Sequence, residues 1–307
     1  MVFGERLSAM LLGCVEFKNR DELRHNLVKD MLGYGSHNQP AGTWSDDSSL
    51  MLCTVESLLK GFDMQDLGRY FLRWYKEGYW TPWGKVFDIG ITTAQAINRL
   101  SQGAKAEDAG LTEEQSNGNG SLMRILPIAL RFNGRSPDEI VEYAHKASSL
   151  THKHPRSLMA CGFYCLLADT LLRESDLDKA YLDAVQKAKT HYAKPPYSGE
   201  LRHFDRLFSG LITGESADTI RSHGYVIDTL EASVWCLLKT GSFQEAVLKA
   251  VNLGHDTDTT GTVTGGLAGI HYGLKAVPDH WLNQIVRRTD IRLLFESFTS
   301  SVMSCAR

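Results

Sequence analysis

Apolar residues recur at three- and four-residue spacing along almost the whole chain, and no other feature constrains the fold as tightly. This period predicts helices over Gly4–Cys14, Asp21–Asp30, Asp47–Lys60, Met64–Glu77, Ile91–Ser101, Ser121–Arg131 and Pro137–Ser148. It predicts more over Pro155–Glu174, Leu177–His191, Glu200–Ser209, Val226–Thr240, Phe243–Val251, Thr259–Leu274 and Asp290–Ser301. Alternating patterns are scarce, and the one plausible short strand is Gly224-Tyr225-Val226. No repeat of fixed period and no linker rich in Pro, Gly and Ser divides the chain, so one compact all-α domain over residues 1–307 is expected.

Between the helices lie three polar loops of unusual content: Gly35–Asp47, Glu114–Gly120 and Gly254–Asp258. In the last, Gly254-His255-Asp256-Thr257-Asp258-Thr259-Thr260 crowds carboxylates and hydroxyls ahead of a run of small and apolar residues. A single Asp there would be read as a helix cap. Two Asp around Thr257, with Thr259 and Thr260 following, supply more acceptor oxygen than a cap needs. Carboxylate and hydroxyl oxygens suit hard divalent cations such as Mg²⁺ or Mn²⁺.

The first loop ends in Ser45-Asp46-Asp47, directly before a helix. One reading is a cap plus a dipole partner. The other is a second oxygen cluster that meets the first. Two helix N-termini facing each other would aim Ser45, Asp46, Asp47, Asp256, Asp258 and Thr259 into one space. The carboxylates there would repel unless cations sat among them.

In the middle loop, Asn117-Gly118-Asn119-Gly120-Ser121-Leu122-Met123-Arg124 puts glycines just before a helix. That composition lets backbone N–H groups approach a phosphate, with Arg124 adding charge. It also describes an ordinary turn. Thr151-His152-Lys153-His154-Pro155 places two histidines before a Pro-started helix, without the partners a zinc site needs. A histidine contacting a ligand, or capping by Thr151, accounts for it better.

Composition narrows the partners. Hydrophobic residues make up 43% of the chain and charged residues 22%, which suits a globular protein with a sizeable core. A net charge of −3 offers no bulk basic field for nucleic acid. No apolar run is long enough to span a membrane, and Met1–Arg6 does not open a signal peptide. The six cysteines sit mostly in apolar helical patterns and are expected as reduced thiols in a cytoplasmic protein.

With these pieces in order, the chain from about Glu5 to about Val286 resembles the ADP-ribosylglycohydrolases, including the dinitrogenase reductase-activating glycohydrolases. Gly42-Thr43-Trp44-Ser45-Asp46-Asp47-Ser48 is similar to the family's first metal motif, usually Thr-Asp-Asp. Phe87-Asp88-Ile89-Gly90 matches its Asp-Ile-Gly segment, Gly118–Arg124 its ADP-ribose loop and Thr151-His152 its Thr-His pair. Gly254-His255-Asp256-Thr257-Asp258-Thr259 resembles its second metal motif, usually Gly-Gly-Asp-x-Asp-Thr.

The resemblance implies an orthogonal helical bundle with two Mg²⁺ or Mn²⁺ ions at the floor of a cleft. It implies Ser45, Asp46, Asp47, Asp256, Asp258 and Thr259 as metal ligands. Asn117, Gly118, Asn119, Gly120, Ser121, Met123 and His152 would contact the substrate, an ADP-ribosylated protein or another ADP-ribose conjugate. Catalysis would fall to Asp88, Glu16 and Asp47, cleaving the bond at the ribose anomeric carbon. One departure stands out. Ala9-Met10-Leu11-Leu12-Gly13-Cys14 runs straight into Val15-Glu16-Phe17, where the family carries Gly-Asp-Ala-Leu-Gly-x-Pro ahead of the Glu. That shortening also admits a relative that binds ADP-ribose without cleaving a conjugate. A two-metal phosphoester hydrolase using His37 and His152 is the third reading.

Overall fold

A computed structural model describes residues 17–305 of the chain. In chain order its α-helices are α1 (Arg20–His25), α2 (Asp46–Leu58), α3 (Met64–Glu77), α4 (Ile91–Ser101) and α5 (Ala106–Ala109). Then come α6 (Leu126–Arg131), α7 (Pro137–Ser149), α8 (Pro155–Leu171), α9 (Leu177–Tyr192) and α10 (Asp205–Phe208). The last are α11 (Val226–Leu238), α12 (Phe243–Val251), α13 (Thr257–Tyr272), α14 (Asp279–Gln284) and α15 (Arg288–Cys305). Among the described residues there is no strand, only isolated bridges at Leu111–His152 and Gly118–Tyr225. The all-α expectation therefore holds, and the strand suggested at Gly224–Val226 is reduced to one bridging residue.

Helix α8 forms the axis of the molecule because it is apolar on every side, which only a fully enclosed helix can be. All but two of its residues are buried, and α6, α7, α9, α11 and α13 pack around it. Helix α13 is enclosed as well, from Thr257 to Ile270, and lies against α8, α11, α12 and α2. Its small residues permit that closeness. A Cβ on Gly266 would stand 2.5 Å from the Tyr164 hydroxyl and 3.0 Å from Leu126 Cδ2. The Tyr164 hydroxyl is itself held by a 3.0 Å bond to the carbonyl of Val263.

Where expected helices shorten, side chains and proline explain it. The predicted Asp21–Asp30 helix ends at His25, and the chain beyond is tied by the Asn252 amide to both N–H and C=O of Val28, at 2.8 and 2.9 Å. Ser121–Arg131 splits into a 3₁₀ turn, Leu122–Arg124, and α6, which restarts around Pro127. Cys53, Cys161, Cys165 and Cys236 are free and buried. Among the described residues no helix is long and apolar enough to cross a membrane.

Gly266→Ala gains up to about 1 kcal/mol of helix propensity. It should nonetheless lose about 1–3 kcal/mol net through overpacking against Tyr164. A lowered midpoint in urea denaturation is the expected result; an unchanged or raised midpoint would show that the α8–α13 contact is loose.

Candidate active site

The N-termini of α2 and α13 face each other, and this brings the two acidic loops together. Ser45 is the N-cap residue of α2, yet its side chain makes no capping bond. Its Oγ lies instead 3.1 Å from Asp47 Oδ2 and 3.2 Å from Asp258 Oδ2. Across the gap Asp256 caps α13, accepting the N–H of Thr259 at 3.3 Å. Asp46, Asp47, Asp258 and Thr259 are all buried.

The electrostatics record the crowding. Burial, then the charges of Asp88 and Asp256, push the Asp46 carboxyl up to about 7, against a bond from the N–H of Gly90 that lowers it. Asp47 is raised well above the carboxylate range by burial, then by Asp46, Asp256 and Asp88. Asp88 is raised by burial, with His37 pulling it back at 3.6 Å.

The donor set fits hard cations. Ser45 has one hydroxyl proton and two carboxyl neighbours, so it can donate to only one of them at a time. Asp47 Oδ1 is buried with no hydrogen-bond partner. All-oxygen donors of this kind match Mg²⁺ or Mn²⁺ and not a soft metal. Among the described residues, no three His, Cys, Asp or Glu side chains are already gathered tightly enough to grip an ion.

A small open cleft leads onto this corner, lined by Gly35, His37, Gln39, Pro40, Thr43, Ser45, Phe87 and Asp258. His37 lies between Phe87 and Phe17, with ring centroids at 5.6 and 6.0 Å. The sequence offered His37 only as a phosphoesterase ligand. Its place beside Asp88 was hidden because the two come from different loops. Glu16 lies outside the described residues.

The glycine-rich segment is stitched to the second acidic loop through residues 222–226. Asn117 O accepts the N–H of Val226 at 3.0 Å, and the N–H of Asn119 reaches Gly224 O at 3.0 Å. The N–H of Asp256 reaches Ser222 O at 3.0 Å. The side chain of Asn117 is held by Ser157 at 2.8 Å and by Glu114 O at 2.9 Å. The Asn119 amide donates to Asp256 Oδ2 at 2.7 Å and to Thr229 Oγ1 at 2.8 Å.

Gly120 must lack a side chain, because a Cβ there would stand 2.9 Å from both His152 Cε1 and Thr93 Oγ1. Gly118 lies over the same imidazole. Ser121 is fully buried, bonded by Ser148 at 2.8 Å, and Met123 is buried beside it.

Arg124 does not sit at the loop surface. Its guanidinium is buried, bonded to Ala147 O and Thr151 Oγ1, and stacked over Phe71 at 4.7 Å. The anion-binding charge expected from it is therefore turned inward. Thr151 does not cap α8 either; His154 does, accepting the N–H of Arg156 at 3.2 Å.

His152 is buried at 2% exposure and bonded through Nδ1 to Thr151 Oγ1 at 2.8 Å. Burial, then the Arg124 charge, depress its pKa to about 3. Thr151 Oγ1 thus accepts from Arg124 and shares a second hydrogen bond with His152 Nδ1, which fixes the ring beside the glycine segment.

An all-helical frame thus carries an oxygen-rich double corner tied to a glycine segment. The ADP-ribosylglycohydrolase family profile matches residues 11–305, and the chain belongs to that family. Among its relatives is the ADP-ribosylarginine hydrolase Tri1 of Serratia proteamaculans (strain 568), 34% identical over 285 residues, covering 92% of this chain and 73% of that one. The ADP-ribosyl-[dinitrogen reductase] glycohydrolase of Rhodospirillum rubrum is 26% identical over 277 residues, covering 88% and 84%. A solved structure described as an ADP-ribosylglycohydrolase-related protein complex superposes with a TM-score of 0.76 at 29% identity, covering 97% of this chain and 94% of that one.

A base whose pKa is lowered on folding stays neutral down to the folded value. The His152 ring should therefore show no titration in imidazole NMR shifts between pH 8 and pH 5. A midpoint near 6.5, the ordinary value for histidine, would contradict its enclosure.

Proposed function

We propose that the protein is a hydrolase that releases ADP-ribose from a conjugate, with an ADP-ribosylated arginine side chain as the first substrate to test. Family membership supports the reaction class, and the resemblance to proteins named ADP-ribosylarginine hydrolase Tri1 supports the acceptor. The observation that carries the reading is the Ser45 hydroxyl wedged between Asp47 and Asp258, where two helix N-termini share one acidic corner at the floor of a cleft.

Two Mg²⁺ or Mn²⁺ ions held by Ser45, Asp46, Asp47, Asp256, Asp258 and Thr259 would neutralise the corner and lower the pKa of a water beside it. The remaining work belongs to the chain. The diphosphate rests on the Asn117–Arg124 loop at the backbone of Gly118 and Gly120, and neutral His152 supports that backbone from below. That remote binding positions the anomeric carbon over the carboxylates. As the carbon–nitrogen bond to the guanidinium breaks, positive charge builds on the ribose, and the acidic corner stabilises it. The water oxygen bonds to the anomeric carbon, and the arginine nitrogen leaves with a proton. Asp88, held beside His37 at the edge of the acidic corner, is the proposed proton donor, with Glu16 as its counterpart on the water side. A cytoplasmic location, where intracellular ADP-ribosylated proteins are found, belongs to the same proposal.

Asp258→Asn should remove the stabilisation that Mn²⁺ gives to thermal unfolding. It should also lower release of ADP-ribose from ADP-ribosylated arginine by at least the ~10–100-fold typical of lesser changes around metal ligands. Full activity with an unchanged Mn²⁺ shift would refute the ligand set. ADP-ribosylated serine and O-acetyl-ADP-ribose, assayed in parallel, test the acceptor. Tight binding of free ADP-ribose with no release from any of the three would make the protein a non-catalytic binder.

A further inference from the structure

We infer that Asn119 is a positioning residue for Asp256, not principally a contact for the substrate. The inference rests on the metal-dependent reading above. The carboxamide has two N–H protons, and the structure gives both to partners within the protein. One goes to Asp256 Oδ2 at 2.7 Å and the other to Thr229 Oγ1 at 2.8 Å. The orientation of the amide is fixed by chemistry, because a carboxylate only accepts. Thr229 spends its own proton on the carbonyl of His223 at 3.2 Å, so its oxygen is left to accept from Asn119. Asn119 is buried, and Thr229 is fully enclosed.

The backbone fixes the same residue twice more. The N–H of Asn119 is bound to Gly224 O at 3.0 Å, and its carbonyl takes the N–H of Met123 at 3.1 Å. Gly224 closes the other side of the carboxylate, since a Cβ there would stand 3.2 Å from Asp256 Oδ2. Asp256 Oδ1 caps α13, so Oδ2 is the oxygen whose direction Asn119 sets. A ligating carboxylate is ordinarily oriented by just such a hydrogen-bond donor behind it. Here that donor sits in the segment proposed to hold the diphosphate, so one side chain ties the two halves of the site together.

The experiment is calorimetric titration of Mn²⁺ into the chelator-treated full chain with no ADP-ribose present, for wild type, Asn119→Ala and Thr229→Val. The Asn119→Ala variant should bind Mn²⁺ ~10–100-fold more weakly. Thr229→Val, which leaves the bond to Asp256 but removes its anchor, should show a smaller loss in the same direction. Thermal unfolding without metal reports whether each variant is folded, and the Thr229→Val result decides the matter if Asn119→Ala is not. Folded Asn119→Ala that binds Mn²⁺ like wild type would overturn the inference, and weaker binding of ADP-ribose by that variant in a separate titration would make Asn119 a substrate contact. Wild type that binds no Mn²⁺ would instead sink the metal reading itself.

Discussion

Burial of carboxyl groups, compounded by their mutual repulsion, is the constraint on which this site depends. Asp46, Asp47, Asp88 and Asp256 act on one another from three segments far apart in the chain, in a space largely closed to water. Burial makes the charges of Asp46, Asp47 and Asp88 costly, and neighbouring carboxylates raise their affinity for protons further. A protein that only needed caps at α2 and α13 would use one side chain for each. The arrangement makes sense as a device for holding positive charge, supplied by cations or by the developing charge of a reacting ribose.

The frame exists to oppose that repulsion. Helix α13 is locked by glycine-mediated contact with α8, as at Gly266 against Tyr164. Residues 222–226 bind the glycine segment on one side and the 254–256 turn on the other through backbone hydrogen bonds. His255 holds a left-handed backbone at φ 60, unusual for a residue with a Cβ, and its ring rests on His223 at 4.0 Å. Its N–H and C=O are bonded to Lys18 and Phe17 at 2.7 Å each, which pins the turn in place.

Much of this was legible in the sequence, and the gaps have physical reasons. Helical periodicity located α2, α3, α4, α7, α9 and α12 to within two residues at either end, and overran the C-terminus of α8, expected to Glu174, by three. The acidic loops stood out because Ser45-Asp46-Asp47 and Asp256-Thr257-Asp258 concentrate oxygen beyond what capping uses. Orientation was not legible. Nothing in the linear order shows that Arg124 points inward to Ala147, or that the Asn119 amide turns to Asp256. Both depend on partners brought by folding. The 222–226 segment was noticed only for its strand-like triplet, while its role comes from backbone groups that leave no mark on side-chain identity.

Diffraction from crystals soaked in Mn²⁺, with anomalous maps collected above the manganese edge, tests the central claim most directly. The account predicts peaks in the gap between Ser45, Asp47 and Asp258, extending toward Asp46 and Asp256. Manganese bound elsewhere, with that gap holding only water, would contradict it.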